Sequence, residues 1–228
     1  MGRRSGEGPQ RPRRQQAPQA GLPRALGLSR GLTPSLNLSM ALTPEDVFSE
    51  IGGQPNSCTL REYCAFAEHV QNIASCRLLV FGVGRDSAAW RRLNHGNPTL
   101  FLENNGEWID RIGKEIGNEH ILAVTYQQSF EHWEKTDFAA DQVTLPALES
   151  PPFNGEWDCV FVDAPWGPTF GRHQSTYAAT KSVKPGGFVG LHDCEREREQ
   201  IVCKILLEAN GFELVTEVER LRIYQSPS

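Results

Sequence analysis

The sequence predicts an α/β fold, a Rossmann-like class I sheet of five parallel strands closed by a C-terminal antiparallel hairpin. Three observations predict it. From Arg77 onward, short apolar runs alternate with segments of helical length, and the first run ends in a Gly-x-Gly turn. The last two runs, Glu213 to Glu217 and Leu221 to Tyr224, are joined by too few residues for a parallel crossover, so they pair antiparallel.

Each element follows from its own residues. Leu78 to Phe81 is a short apolar run of aliphatic and aromatic residues, the pattern of a parallel strand buried on both faces. Gly82 and Gly84 follow it, and without a Cβ they let the backbone turn sharply and approach a ligand. Asp86 and Ser87 suit the N-cap of the next helix, and an acidic cap favours a cationic or uncharged ligand over a pyrophosphate. The second run closes at Glu103, about 20 residues past the glycines, where a Rossmann-type site places the carboxylate that binds ribose hydroxyls. Ala88 follows Ser87, so the third glycine of the dinucleotide fingerprint is missing. The expected cofactor therefore shifts from NAD to S-adenosylmethionine, which carries a positive sulfonium and no phosphate.

Further on, the spacing predicts a helix over Glu107 to Ile116, a strand over Ile121 to Tyr126, and a strand over Trp157 to Ala164. A helix over His173 to Val183, a Lys-Pro-Gly-Gly turn and a fifth strand over Phe188 to His192 come next. The helix Glu195 to Asn210 stops at Gly211. Five β-α units followed by a hairpin is the order of a class I methyltransferase sheet, whereas a dinucleotide-binding domain ends on parallel strands.

Ligands of open α/β sheets bind at the carboxyl ends of the strands. Three such ends are polar: Glu103, Asp163 in VDAPWG, and His192 with Asp193 in GLHDCE. Each alone has a structural reading, as a loop cap or a mutually satisfied pair, but their convergence on one sheet edge favours function. Trp90 and Trp166 read as core or pocket wall. A divalent ion between Asp163 and Asp193 is chemically conceivable, but no ligand spacing connects them and no metal is assigned. Six cysteines lack CxxC or Cys/His spacing, which argues against zinc; Cys58 and Cys64 could pair in an oxidising compartment.

At 228 residues and 39% hydrophobic content, the chain can bury one substantial core. The net charge of -5 is unevenly spread: residues 1–40 hold seven arginines against the single acid Glu7, leaving residues 41–228 at -11. An acidic body argues against a nucleic-acid partner. Residues 1–40 have no apolar periodicity and are expected to be a disordered tail with some transit-peptide character, residues 41–76 a helical lead-in, and residues 77–228 the catalytic domain. No run has the roughly 20 apolar residues of a membrane span.

The ordered series VFGVGRDSAAWRRLNHGNPTLFLEN, VTYQQ, WDCVFVDAPWG with GR and STYAAT, and GLHDCERERE resembles the plant polysaccharide O-methyltransferases, a group that includes glucuronoxylan 4-O- and arabinogalactan methyltransferases. The likeness runs from about Thr59 to the C-terminus. It implies methyl transfer from S-adenosylmethionine to a sugar hydroxyl, most simply the 4-O of a glucuronic acid residue. It also implies that Gly82, Gly84, Asp86 and Ser87 lie at the cofactor loop, Glu103 on the ribose, and Asp163, His192 and Asp193 around the reacting centre. Asp163 is the first candidate base, with His192 the alternative base or an orienting group. Arg172 is the candidate cation for a uronate, and Trp166 is a second candidate substrate contact. The family's location is the Golgi, but no anchor is read in this sequence, so the location is not carried over and an organellar or cytoplasmic one stays open. Two other classes stay open: an NAD(P)-dependent oxidoreductase, and a non-catalytic binder on the same fold.

Because residues 1–40 lack a periodic apolar face, a chain starting at Met40 should melt within a degree or two of the full chain and bind S-adenosylhomocysteine equally well. Differential scanning calorimetry and titration of both chains check this.

Overall fold

A computed structural model of the chain describes residues 42–139, 143–145, 156–165, 167 and 169–228. The expectations for residues 1–40 and for Trp166 lie outside the described residues. Seven strands form one sheet: β1 (Leu78–Phe81), β2 (Thr99–Glu103), β3 (Ile121–Ala123), β4 (Trp157–Val162), β5 (Val183–Leu191), β6 (Glu213–Val218) and β7 (Leu221–Gln225). Their order is β3-β2-β1-β4-β5-β7-β6, with β1 to β5 parallel and β7 antiparallel to both β5 and β6. This is the class I methyltransferase sheet that the alternating runs and terminal hairpin predict. The reversal of strand order lies between β1 and β4, so Gly82 and Asp163 leave the sheet side by side at the switch point.

Period-two alternation explains why the central strands read as unbroken apolar runs. Leu78 and Val80 of β1, with Cys159 and Phe161 of β4, face one core, while Leu79, Phe81, Val160 and Val162 face the other. The first core is covered by α1 (Pro44–Phe48), α2 (Leu60–Gln71), α3 (Ser87–Leu93) and α4 (Gly106–Ile116). Trp90 belongs to it, packed edge-on to Phe48, Tyr63 and Phe66. The second core is covered by α5 (Phe130–Lys135), α6 (His173–Ser182) and α7 (Glu197–Val202). A π-helical turn (Cys203–Leu207) and a 3-10 turn (Glu208–Asn210) extend α7 before Gly211, at φ 81°, ends the helical run.

Some boundaries move. The predicted Lys-Pro-Gly-Gly turn lies inside β5: Val183 pairs with Trp157, and regular pairing resumes at Phe188 opposite Cys159, so Lys184 to Gly187 bulge out of the ladder. β3 stops at Ala123 rather than Tyr126, because Gln127 and Gln128 donate their N–H groups to the Gln174 side chain at 3.0 and 2.9 Å instead of to a strand. All six cysteines are free and buried, so Cys58 and Cys64 do not pair. Among the described residues no helix is long and apolar enough to cross a membrane.

Helix α2 is held by its cap and by one close contact with the sheet. Thr59 and Glu62 form a capping box that starts it, and Phe66 packs it onto Gly190 of β5 and Phe161 of β4. A methyl group at Gly190 would stand 2.7 Å from the Phe66 ring and 3.0 Å from Phe161. Gly190→Ala should therefore destabilise the protein by about 1 to 3 kcal/mol through overpacking, read as a lower urea midpoint at unchanged slope.

Candidate functional site

The glycine loop and the end of β2 are tied together by one carboxylate. Glu103 is buried; its Oε2 accepts from the Val83 N–H at 2.8 Å, and its Oε1 accepts from Asn104 and Asn105 at 2.8 and 2.7 Å. Gly82 sits at φ 120°, where only glycine is unstrained, and a Cβ there would meet Ala164 at 3.3 Å. The capping expectation needs correction. Asp86 occupies the N-cap position of α3 without capping it, because its Oδ2 accepts from Trp90 Nε1 at 3.0 Å. Ser87 instead turns back on the loop, its Oγ accepting from Gly84 N–H at 3.0 Å. Burial, then the neighbouring Asp163 charge, push the Asp86 carboxyl up to about 6.

A second set of groups converges where β4 and β5 end. Asp163 Oδ1 accepts from Arg172 Nη2 and faces His192 Nδ1, each at 2.9 Å. Oδ2 takes no hydrogen bond from a described residue, and the side chain is 27% exposed. Burial alone would raise the Asp163 carboxyl, but Arg172 and His192 reverse that and hold it below the usual range. His192 is buried between carboxylates: Nδ1 to Asp163, and Nε2 to Glu62 Oε2 at 3.3 Å. Burial disfavours its charge, but the hydrogen bonds to Asp163 and Glu62 win and raise it to about 9. Each ring nitrogen thus faces a carboxylate, and the protonated ring donates at both.

Arg172 also differs from expectation. It is not an exposed cation: it is buried, and its guanidinium bonds Asp163, Asp193 and the His192 carbonyl. Asp193, in the left-handed region at φ 62°, is ringed by Arg172, Arg196 at 2.9 Å and Arg220 at 3.5 Å. The donor atoms of Asp163, His192 and Asp193 lie within 4.8 Å of one another, as do those of Cys58, Glu62 and His192. Arg172 bonds both Asp163 and Asp193, and His192 faces Asp163 and Glu62, so these groups are already engaged with one another as ion pairs.

Two members of this cluster were not foreseen. Glu62 has no exposed surface; it accepts from Thr59 N–H and Arg220 N–H, each at 2.7 Å, and from the Arg220 guanidinium at 3.1 Å. Burial raises its carboxyl, and the bonds from His192, Thr59 and Arg220 overcome this and lower it to about 2. The only sequence signal for Glu62 is the Thr59-x-x-Glu62 capping box, and Arg220 lies in the β6–β7 turn, 158 residues away.

The family described as IRX15/IRX15L/GXM matches over residues 61–145. The chain is 29% identical over 193 residues to glucuronoxylan 4-O-methyltransferase 1 of Arabidopsis thaliana, spanning 75% of this chain and 68% of that protein. It is 33% identical over 151 residues to arabinogalactan O-methyltransferase 2 of the same plant, spanning 54% and 52%. Among solved structures, a SAM-dependent O-methyltransferase from Thermotoga maritima superposes with a TM-score of 0.51 at 12% identity, over 82% of this chain and 72% of that one. That likeness shows the shared fold.

The His192–Glu62 pair sets a pH dependence. His192 is raised in the fold, so its contribution is complete below its unfolded value near 6.5 and is lost as pH rises through about 9. Glu62 is lowered by His192, Thr59 and Arg220, so its contribution is complete above about 4.5 and is lost as pH falls through about 2. The two shifts share the His192–Glu62 contact, so they are not summed; the His192 shift, which Asp163 and Glu62 produce together, is on the order of 3 kcal/mol. Urea unfolding of the parent and of His192→Asn from pH 6 to 9.5 should converge as pH rises.

Proposed function

We propose, from the kinship with plant polysaccharide O-methyltransferases, that this chain is an S-adenosylmethionine-dependent O-methyltransferase acting on a sugar hydroxyl of a glycan. The observation that carries the proposal is the juxtaposition at the switch point of a glycine loop locked to Glu103 with an ionised Asp163 whose second oxygen takes no hydrogen bond from a described residue.

The residues fit the cofactor. Glu103 fixes the loop through Oε2 and, with Oε1 taken by Asn104 and Asn105, keeps one lone-pair direction on Oε2 for a ribose hydroxyl, and Gly82 and Gly84 present backbone where a Cβ would intrude. Asp86 and Asp163 make the neighbourhood negative, which suits a sulfonium and disfavours a pyrophosphate. This preference separates the reading from an NAD(P)-dependent oxidoreductase. When bound, S-adenosylmethionine supplies an electrophilic methyl group.

The protein's own work is then to orient a hydroxyl and take its proton. Asp163 is ionised throughout the neutral range, and Arg172 and His192 pin Oδ1, so Oδ2 accepts the hydroxyl hydrogen and aims the oxygen lone pair. Both cations remain charged during the step. They stabilise the carboxylate before transfer and keep its orientation afterwards, a form of electrostatic preorganisation. For a glucuronic acid acceptor, the candidate partner of the uronate is Arg196 rather than Arg172. Its side chain is 49% exposed, with Nη1 on Asp193 at 2.9 Å and Nε 3.9 Å from Glu195, so its guanidinium is within reach of an acceptor at the surface.

Asp163→Asn should abolish labelled-methyl transfer to glucuronoxylan oligosaccharides, by about 10² to 10⁴ in single-turnover rate, while S-adenosylhomocysteine affinity stays within a few-fold. Glu103→Ala should weaken that affinity by roughly 1.5 to 3 kcal/mol in calorimetry. A near-parental rate in the first variant, or unchanged affinity in the second, contradicts these roles. Methylation of no glycan by the parent, with cofactor affinity intact, favours the non-catalytic binder.

A further inference from the structure

We propose that Glu62 is a positioning residue for the transfer: from the first turn of α2 it holds the His192 ring with both N–H groups donating, so that His192 fixes Asp163 Oδ1 and leaves Oδ2 toward the acceptor. The inference rests on the methyltransferase reading and places part of the reacting centre on the segment that precedes the sheet domain.

The geometry carries it. Glu62 has no exposed surface, so its carboxylate is held in place by the fold and cannot be satisfied by water. A helix cap needs only one carboxylate oxygen on the Thr59 N–H, yet Oε2 also reaches His192 Nε2 at 3.3 Å, and Oε1 accepts the Arg220 N–H at 2.7 Å. The second contact fixes the ring by its far nitrogen. Without an acceptor at Nε2, the imidazole could shed that proton or rotate, and Nδ1 would no longer be held against Asp163. The groups facing His192 come from every side: Glu62 and Cys58 from α2 and the loop before it, Asp163 from β4, Asp193 from β5, with Arg172 and Arg220 behind them. Removing Glu62 takes away a carboxylate that Asp163, already bonded to Arg172, cannot replace.

The experiment has a readout independent of activity. Nitrogen-15 histidine spectra of the parent, with His192 assigned by its disappearance in His192→Asn, should show both ring nitrogens protonated at pH 7.5. In Glu62→Gln, which retains an oxygen for the cap, the His192 titration should move at least one pH unit lower. The alkaline limb of methyl transfer to glucuronoxylan oligosaccharides should move with it, and kcat should fall at least tenfold with KM for S-adenosylmethionine within threefold. Thr59→Ala removes half the capping box but not the carboxylate, and should lower the melting temperature without moving either profile. A single ring proton on parental His192 at pH 7.5 overturns the proposal, and this needs no variant to fold. A Glu62→Gln that behaves like Thr59→Ala overturns it as well. A parent that methylates no glycan refutes the functional reading, while the nitrogen spectra still decide how His192 is held.

Discussion

Three carboxylates and three cations gather where β4 and β5 end; Glu62, Arg172, His192 and Asp193 are buried there and cannot be left without a partner, while Asp163 and Arg220 are partly exposed. Glu62, Asp163 and Asp193 interleave with His192, Arg172 and Arg220. Breaking one such pair costs about 3 to 5 kcal/mol because a buried charge is left uncompensated, whereas the assembled set adds little net stability. The cluster is therefore better understood as a device for orientation. It joins α2, β4, the loop before α6, β5 and the β6–β7 turn at one point, and it leaves one oxygen, Asp163 Oδ2, without a hydrogen bond from a described residue.

The cofactor half of the site obeys a similar constraint with a different solution. Glu103 has no cation; backbone N–H groups of the glycine loop and of its own strand end hold it. Those bonds make the loop's shape depend on β2, so the glycines and the carboxylate act as one unit. On the proposed reading, cofactor placement and acceptor activation rest on separate polar networks that meet across the β1–β4 switch point. This separation is why substitutions at Glu103 and Asp163 have distinguishable expected effects.

Much of this was legible in the sequence because it is local. LLVF followed by Gly-Val-Gly, WDCVFV followed by Asp, and the closing hairpin place strands, loop and carboxyl edge without knowledge of distant contacts. What was not legible is long-range. Arg172 reads as a free cation on a helix start, and only the fold shows it enclosed by Asp163 and Asp193. Glu62 reads as a capping-box residue and is one, but its second partner lies 130 residues away. The β5 boundary failed for another reason: a Lys-Pro-Gly-Gly turn signal does not distinguish a loop before a strand from a bulge within it.

The central claim, an adenosyl cofactor site made by the Glu103-locked loop beside an acidic rather than a phosphate-binding neighbourhood, is tested most directly by comparing ligands on the unmodified protein. Thermal unfolding in saturating S-adenosylhomocysteine should rise by several degrees, as expected for a ligand that binds only the folded state, while the same concentration of NAD leaves the transition where it is. Stabilisation by NAD and none by S-adenosylhomocysteine would contradict the account.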